Sequence, residues 1–350
     1  MTRHYADLGE GTVHYQDKGM VWFSRGRDLY RGTGGNTPFS LIGTLPEPQL
    51  WRRWLGKSRI GSRIIRGGVL NLIPLADGAL AATMRGSVFV RAAGQREFKA
   101  TLTRPGRSWR LEALPDGVLF AAEYFSNMAR SQVEILKSLD GGLSWRPAYL
   151  FPAGTIRHIH GITYDHRREQ LIVLTGDEDR EAMIMLTSDQ FRTTSILMQG
   201  SQAARALTIL PGDDGYWLGT DTPYEQNYAQ LVSLRGEIIT RVPLSGSCLS
   251  ATSVGDRLFF GTAVEPSAVN RDPMAKLYAS DGHSWTVLGS WRTDVWSGAG
   301  KYRAALFQMA RVLLPRCRGT ADALFATTIA VSGADGHLHR WKDGGDCAGS

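Results

Sequence analysis

Side-chain chemistry is most concentrated in the string Arg157-His158-Ile159-His160. Two imidazoles separated by one residue share a face of a strand, because side chains alternate with a period of two. Side by side they can pass a proton or supply two ligands to a metal. No third His or Cys stands at a recognisable ligand spacing, so neither a metal nor any other cofactor is expected. By the same alternation Arg157 points away from the histidines, unless the strand begins after it. Arginines recur at the expected starts of other inner strands, at Arg66, Arg205 and Arg303. A guanidinium is a planar fork that matches a carboxylate, so this set suits an anionic ligand, with Arg157 and Arg205 as the preferred pair. Polar loops add Asp177, Asp179, Asp221, Tyr224, Glu225, Gln226, Asn227 and Glu265. Asp177, Asp179, Glu225 and Glu265 are candidates for a carboxylate pair acting as acid and base across a glycosidic bond. His158, His160 and Tyr224 are candidate bases for β-elimination from a uronate. Asp221, Gln226 and Asn227 are candidate contacts to a bound sugar.

The elements that must position these residues show up as a repeat. Lys137-Ser138-Leu139-Asp140-Gly141-Gly142-Leu143-Ser144-Trp145 follows an apolar run, and Tyr278-Ala279-Ser280-Asp281-Gly282-His283-Ser284-Trp285 echoes it. Dividing the distance between them by three predicts decayed copies, which are found at Thr187-Ser188-Asp189-Gln190-Phe191 and Ser233-Leu234-Arg235-Gly236-Glu237. Extending outward gives boxes near 31, 91 and 332, in addition to those near 138, 188, 233 and 280. Each unit of 45–60 residues holds β-rich runs separated by turn residues, as in Ile156–Tyr164, Gln170–Thr175 and Ala182–Leu186. Four short strands per unit, repeated seven times, predict an all-β fold, a seven-bladed β-propeller with six blades as the alternative, in a single domain over 1–350. The run Lys301–Leu314 fits either a helix or an inner strand. The residues before Tyr30, including Val21-Trp22-Phe23, could supply a strand needed to close the ring.

Ser138-Leu139-Asp140-Gly141-Gly142-Leu143-Ser144-Trp145 matches S-x-D-x-G-x-x-W at every fixed position. The chain therefore resembles the Asp-box (BNR) propeller group, whose best-known members are sialidases. The resemblance implies that the boxes are folding devices in the turn between third and fourth strands, leaving the opposite face of each blade for function. It also implies a glycan ligand. It does not reach the residues of sialidase catalysis: Ser62-Arg63-Ile64-Ile65-Arg66 is the nearest string to the x-R-I-P motif and lacks its proline.

Composition narrows the remaining classes. Lys and Arg total 40 against 33 Asp and Glu, giving a net charge of +7, but no basic run occurs, so the arginines point to an acidic glycan or oligosaccharide rather than nucleic acid. No window of 18 apolar residues is present, so no membrane span is expected. The first ten residues lack the apolar core of a signal peptide, which makes a cytoplasmic monomer the expectation. The three cysteines are widely spaced and expected to be free thiols, with Cys248 buried. Three functions stay open: a glycoside hydrolase acting on an acidic glycan, a uronate lyase on the same face, and a non-catalytic propeller that binds a glycan or protein, including a role in polysaccharide biosynthesis.

Overall fold

The structure, a computed structural model, describes residues 3–33, 38–297, 301–318 and 321–343. Among the described residues it contains seven sheets, antiparallel except where Arg316–Arg318 pairs parallel with Thr12–Asp17, and the chain is a seven-bladed β-propeller. Blades are numbered here from the N-terminus, each read from its inner to its outer strand. Blade 1 runs from Thr12–Asp17 to Ser40–Thr44, blade 2 from Asn71–Pro74 to Lys99–Thr103, and blade 3 from Ser108–Ala113 to Arg146–Phe151. Blade 4 consists of His158–Asp165, Gln170–Gly176, Met183–Thr187 and Ser195–Gln199; blade 5 runs from Ala206–Pro211 to Ile238–Pro243, and blade 6 from Cys248–Val254 to Trp285–Arg292.

Blade 7 is assembled from both ends of the chain. Its first three strands are Arg311–Leu313, Ala323–Ile329 and His337–Asp343, and its fourth is Arg3–Glu10, paired antiparallel with the third. The closing strand is thus Arg3–Glu10, which lies before Tyr30 as the sequence predicts, while Val21-Trp22-Phe23 lies inside the second strand of blade 1. The box placed near 332 is corrected for the same reason: residues 330–336 join the second and third strands of blade 7, whereas the other boxes join third and fourth. Lys301–Leu314 divides into a helix, Lys301–Phe307, and the short inner strand Arg311–Leu313. Gly34 and Gly35, assigned to the first box, and Cys347 lie outside the described residues. Cys248 is buried and, with Cys317, is a free thiol. No helix among the described residues is long and apolar enough to cross a membrane.

The chain forms two compact units, one of Val69–Leu249 with Pro266–Arg271, the other of Met1–Gly68, Ser250–Glu265 and Asp272–Ser350. Inside the first unit the cores lie between neighbouring blades. Phe120, Ala122 and Ile135 of blade 3 pack with Ile159, Ile162 and Val173 of blade 4, and Ile172, Leu174 and Ile184 pack with Ala206, Ile209 and Leu218 of blade 5. Because both faces of these strands are covered, their sequences read as continuous apolar runs and not as alternation. Full burial of each large side chain contributes about 1.5–3 kcal/mol.

Box turns pin the connection between the third and fourth strands of blades 3 and 4. Asp140 Oδ1 accepts from the backbone amides of Leu143 and Ser144 at 3.0 and 2.9 Å, and Gly142 N donates to Ser138 Oγ at 2.8 Å. Gly141 and Gly142 sit at φ +69° and +88°, where a Cβ is disfavoured. The decayed box of blade 4 keeps the device with other residues: Phe191 N donates to Thr187 Oγ1, and Thr193 N to Asp189 Oδ1, both at 2.9 Å.

Candidate functional site

His158 and His160 stand at the start of the inner strand of blade 4, where its pairing with the second strand shifts register between Ile159 and Gly161. The strand begins at His158, so Arg157 precedes it and escapes the alternation. Arg157 and both histidines therefore converge on one carboxylate, that of Asp177. This residue immediately follows the second strand of the same blade, Gln170–Gly176.

Asp177 is buried and densely contacted. Its Oδ2 lies 2.7 Å from Arg157 Nη1 and 3.6 Å from His158 Nε2. Its Oδ1 lies 3.2 Å from His160 Nε2 and 3.3 Å from Arg205 Nη2, and Arg205 Nη1 donates to its backbone carbonyl at 2.9 Å. Arg205 comes from the connection into blade 5 and also faces Asp221 Oδ2 at 3.7 Å. Burial alone would push the Asp177 carboxyl up. The His158, His160, Arg157 and Arg205 side chains that surround it outweigh burial and hold the group well below the usual carboxylate range.

The histidine tautomers follow from backbone acceptors on neighbouring blades. His158 Nδ1 is 2.8 Å from Phe125 O, and His160 Nδ1 is 3.2 Å from Ala206 O. A carbonyl oxygen only accepts, so each Nδ1 carries the proton and each Nε2 of the neutral ring presents a lone pair. These two Nε2 atoms are 3.1 Å apart. Burial pushes His160 down to about 4, which keeps it neutral at pH 7. Three electron-pair donors, two imidazoles and a carboxylate, thus face one another within 4.8 Å. Among the described residues this is the one such group able to hold a metal. The third donor, which spacing did not reveal, is an aspartate brought in by the second strand.

Tyr124, at the end of the second strand of blade 3, packs against His158 with ring centroids 4.1 Å apart and the planes tilted by 39°, and the Arg110 guanidinium lies 4.9 Å from the tyrosine ring. Burial raises the Tyr124 phenol, with Arg110 pulling the other way. Its chain neighbour Glu123 is committed elsewhere, accepting from Arg104 at 2.7 Å and Arg107 at 3.2 Å.

A groove of about 1000 Å³ opens beside this centre, lined by residues that include Met128, Arg130, Asp179, Gln202, Tyr224 and Glu225. Gln202, which the sequence did not single out, ties groove to centre: its Nε2 donates to Asp177 O at 3.1 Å and to Asp179 Oδ1 at 2.8 Å. Tyr224 and Glu225 are exposed at the groove. Gln226 and Asn227 instead hold the loop. Gln226 Nε2 donates to Asn227 O and Leu244 O, while buried Asn227 accepts from Thr222 N at 2.8 Å and donates to Thr222 O and Asn270 Oδ1. Arg66, Arg303 and Glu265 belong to the other compact unit. Arg66 ends a helix in the left-handed conformation and donates to Ala305 O, and Arg303 is exposed on the helix Lys301–Phe307.

No protein-family model matches the chain, and no curated protein matches it in sequence. Solved structures do resemble it. A virginiamycin B lyase from Staphylococcus aureus, in a catalytically inactive histidine-to-alanine form with quinupristin, is 12% identical over 97% of this chain and 99% of that one, with a TM-score of 0.61. A chain of the mitotic checkpoint complex gives 10%, 97%, 93% and 0.58 on the same measures, and YCF48 bound to D1 peptide gives 11%, 97%, 96% and 0.55. The likeness is one of fold.

Proposed function

We propose that the protein is a carbohydrate-active enzyme that cleaves an acidic glycan by β-elimination, around a divalent cation held by His158, His160 and Asp177. The carrying observation is the convergence of three lone-pair donors whose protons are already given away. Two ligands at right angles about 2.1 Å from a metal stand about 3.0 Å apart, and in a tetrahedron about 3.4 Å. The separations of 3.1 Å between the Nε2 atoms and 3.2 Å from His160 Nε2 to Asp177 fall within that range, while His158 Nε2 stands wider, at 3.6 Å from Asp177 Oδ2, and would have to draw in to share an ion. Carbonyl-anchored Nδ1–H groups are the usual supports of ligating histidines.

The charges favour an anionic substrate. Asp177 and Asp221 offset Arg157 and Arg205, so a bound dication leaves the cluster with an excess of two positive charges. A dication held by His158, His160 and Asp177 would, together with Arg157, neutralise a uronate carboxylate and so acidify the proton on the adjacent carbon. Tyr124 lies against His158 with its phenol kept protonated by burial, so it would supply a proton to the leaving oxygen, while the proton on the adjacent carbon would pass to a solvent base. The C–H bond breaks, its electron pair forms the C=C bond, and the glycosidic C–O bond breaks. The resemblance of the boxes to the Asp-box group supports a glycan as the ligand. Hydrolysis is less well served, because it needs one protonated carboxylic acid, whereas Asp177 is ion-paired and held ionised.

Incubating the protein with a panel of uronate polysaccharides, with manganese or with chelator, tests this reading. Metal-dependent ultraviolet absorbance from an unsaturated product is expected. New reducing ends without that absorbance would show hydrolysis instead. Binding without cleavage would favour a non-catalytic propeller, for which the exposed Met128 and Tyr224 along the groove provide contact surface.

A further inference from the structure

Three short helices interrupt the blades of the second compact unit: α1, Leu50–Leu55, and α2, Arg59–Ile65, follow blade 1, and α3, Lys301–Phe307, precedes blade 7. They carry apolar side chains that the fold does not cover. In α1 no residue is buried, and Leu50, Trp51 and Trp54 are 74%, 55% and 73% exposed. Ile60 and Ile64 of α2, Tyr302 and Leu306 of α3, and Val295 and Trp296 just before it are exposed as well. These segments touch: Arg63 Nε donates to Phe307 O at 2.6 Å, Arg66 Nη2 to Ala305 O at 3.0 Å, and the Trp296 ring lies 5.6 Å from that of Phe307.

The same segments are cationic without acids. Residues 48–76 contain Arg52, Arg53, Lys57, Arg59, Arg63 and Arg66 and no Asp or Glu; residues 295–321 contain Lys301, Arg303, Arg311, Arg316 and Arg318 and again none. Arg59 and Arg63 are engaged with Asp335, and Arg63 also with Asp294, so those two hold the segments together. A second copy of this chain would set like charges against each other. Nucleic acid would match the charge but not exposed Leu50, Val295 and Leu306. Tryptophans interleaved with arginines match the boundary of a bilayer, where indoles settle at headgroup depth and cations meet lipid phosphates.

We propose that this surface docks the protein peripherally on an anionic phospholipid bilayer, with Trp51, Trp54 and Trp296 at the headgroup boundary and Arg52, Arg53 and Arg303 against the phosphates. The proposal does not depend on the chemistry of the histidine centre.

Sedimentation of the full chain with phosphatidylcholine vesicles, with and without phosphatidylglycerol, tests it. Binding to the anionic vesicles alone is expected, weakened by high salt and accompanied by a blue shift of tryptophan emission. Arg52→Glu with Arg53→Glu should weaken binding by well over tenfold, since each juxtamembrane cation is worth roughly fivefold. Trp51→Ser with Trp54→Ser should weaken binding and shrink the blue shift to the part that Trp296 supplies. All four positions lie on a helix with no buried residue, and unchanged thermal unfolding of the variants verifies that the fold is kept. Equal binding to neutral vesicles, no binding to anionic ones, or wild-type binding by both folded variants would overturn the proposal. So would a dimer lost in Trp51→Ser/Trp54→Ser, or oligonucleotide binding, found in a protein that ignores vesicles.

Discussion

If the two imidazoles and Asp177 hold a divalent cation, the ion must stabilise the folded chain, and geometry sets the size of the effect. A ligand at a hundred times its dissociation constant adds about 2.7 kcal/mol to the folded state. Unfolding entropy of about 2.1 cal/mol/K per residue, over 350 residues, comes to about 0.7 kcal/mol/K, so the midpoint should rise by about 4 °C. The assay is thermal unfolding of chelator-stripped protein titrated with manganese or zinc, read against metal content of the dialysed sample. Asp177→Asn should lose the shift and also lower the starting midpoint. It leaves Arg205, nearly buried, facing a neutral amide, a loss of about 3–5 kcal/mol for a broken buried pair, or about 4–7 °C. His160→Ala keeps both guanidiniums paired with Asp177, so it should lose the metal shift without that electrostatic penalty. A wild-type midpoint indifferent to every metal, or a shift of equal size in His160→Ala, would refute the reasoning.

Two further outcomes concern the frame around the site. His339 is buried between the Tyr5 hydroxyl and Thr328 Oγ1, each 2.9 Å from a ring nitrogen, and burial pushes it down to about 4. Because the unfolded imidazole titrates near 6.5, the unfolded chain takes up the proton first as pH falls. The stability His339 contributes is therefore whole above about pH 6.5 and lost between there and about pH 4, by at most about 3 kcal/mol. Urea unfolding at several pH values should show that loss, and His339→Gln should flatten it. Asp140→Ala removes the acceptor that closes the blade 3 turn, so it should lower the urea midpoint by an amount equivalent to about 1–2 kcal/mol while leaving metal binding at the histidine centre unchanged.

Much of the fold was legible because each blade needs the same local device. A turn that must accept several backbone amides and pass through positive φ selects Ser, Thr, Asp and Gly, and this selection recurs at the period of the blade. Non-local register was not legible. That residues before Tyr30 could close the ring was, but the pairing of Arg3–Glu10 with His337–Asp343 across more than 300 residues leaves no trace in either string. The box near 332 looked like its counterparts because turn residues are alike whichever pair of strands they join. At the site, the alternation of side chains placed His158 and His160 together, and corresponding positions in adjacent repeats singled out Arg157 and Arg205. The carbonyls of Phe125 and Ala206, which fix both tautomers, belong to backbone that any residue supplies, so no sequence signal could mark them.

By itself the sequence determined a repeating antiparallel sheet and a supply of imidazoles, guanidiniums and carboxylates at one end of its blades, since local backbone chemistry and side-chain alternation dictate both. Tertiary structure decided which of these groups meet. Asp177 closes on the two histidines and two arginines because the edge of one blade packs against the next, and a carboxylate buried there is stable only where guanidinium cations or a bound ion answer its charge. Glu225 stays at the groove and Asn227 is spent on holding its loop, although their residue types fitted chemistry just as well.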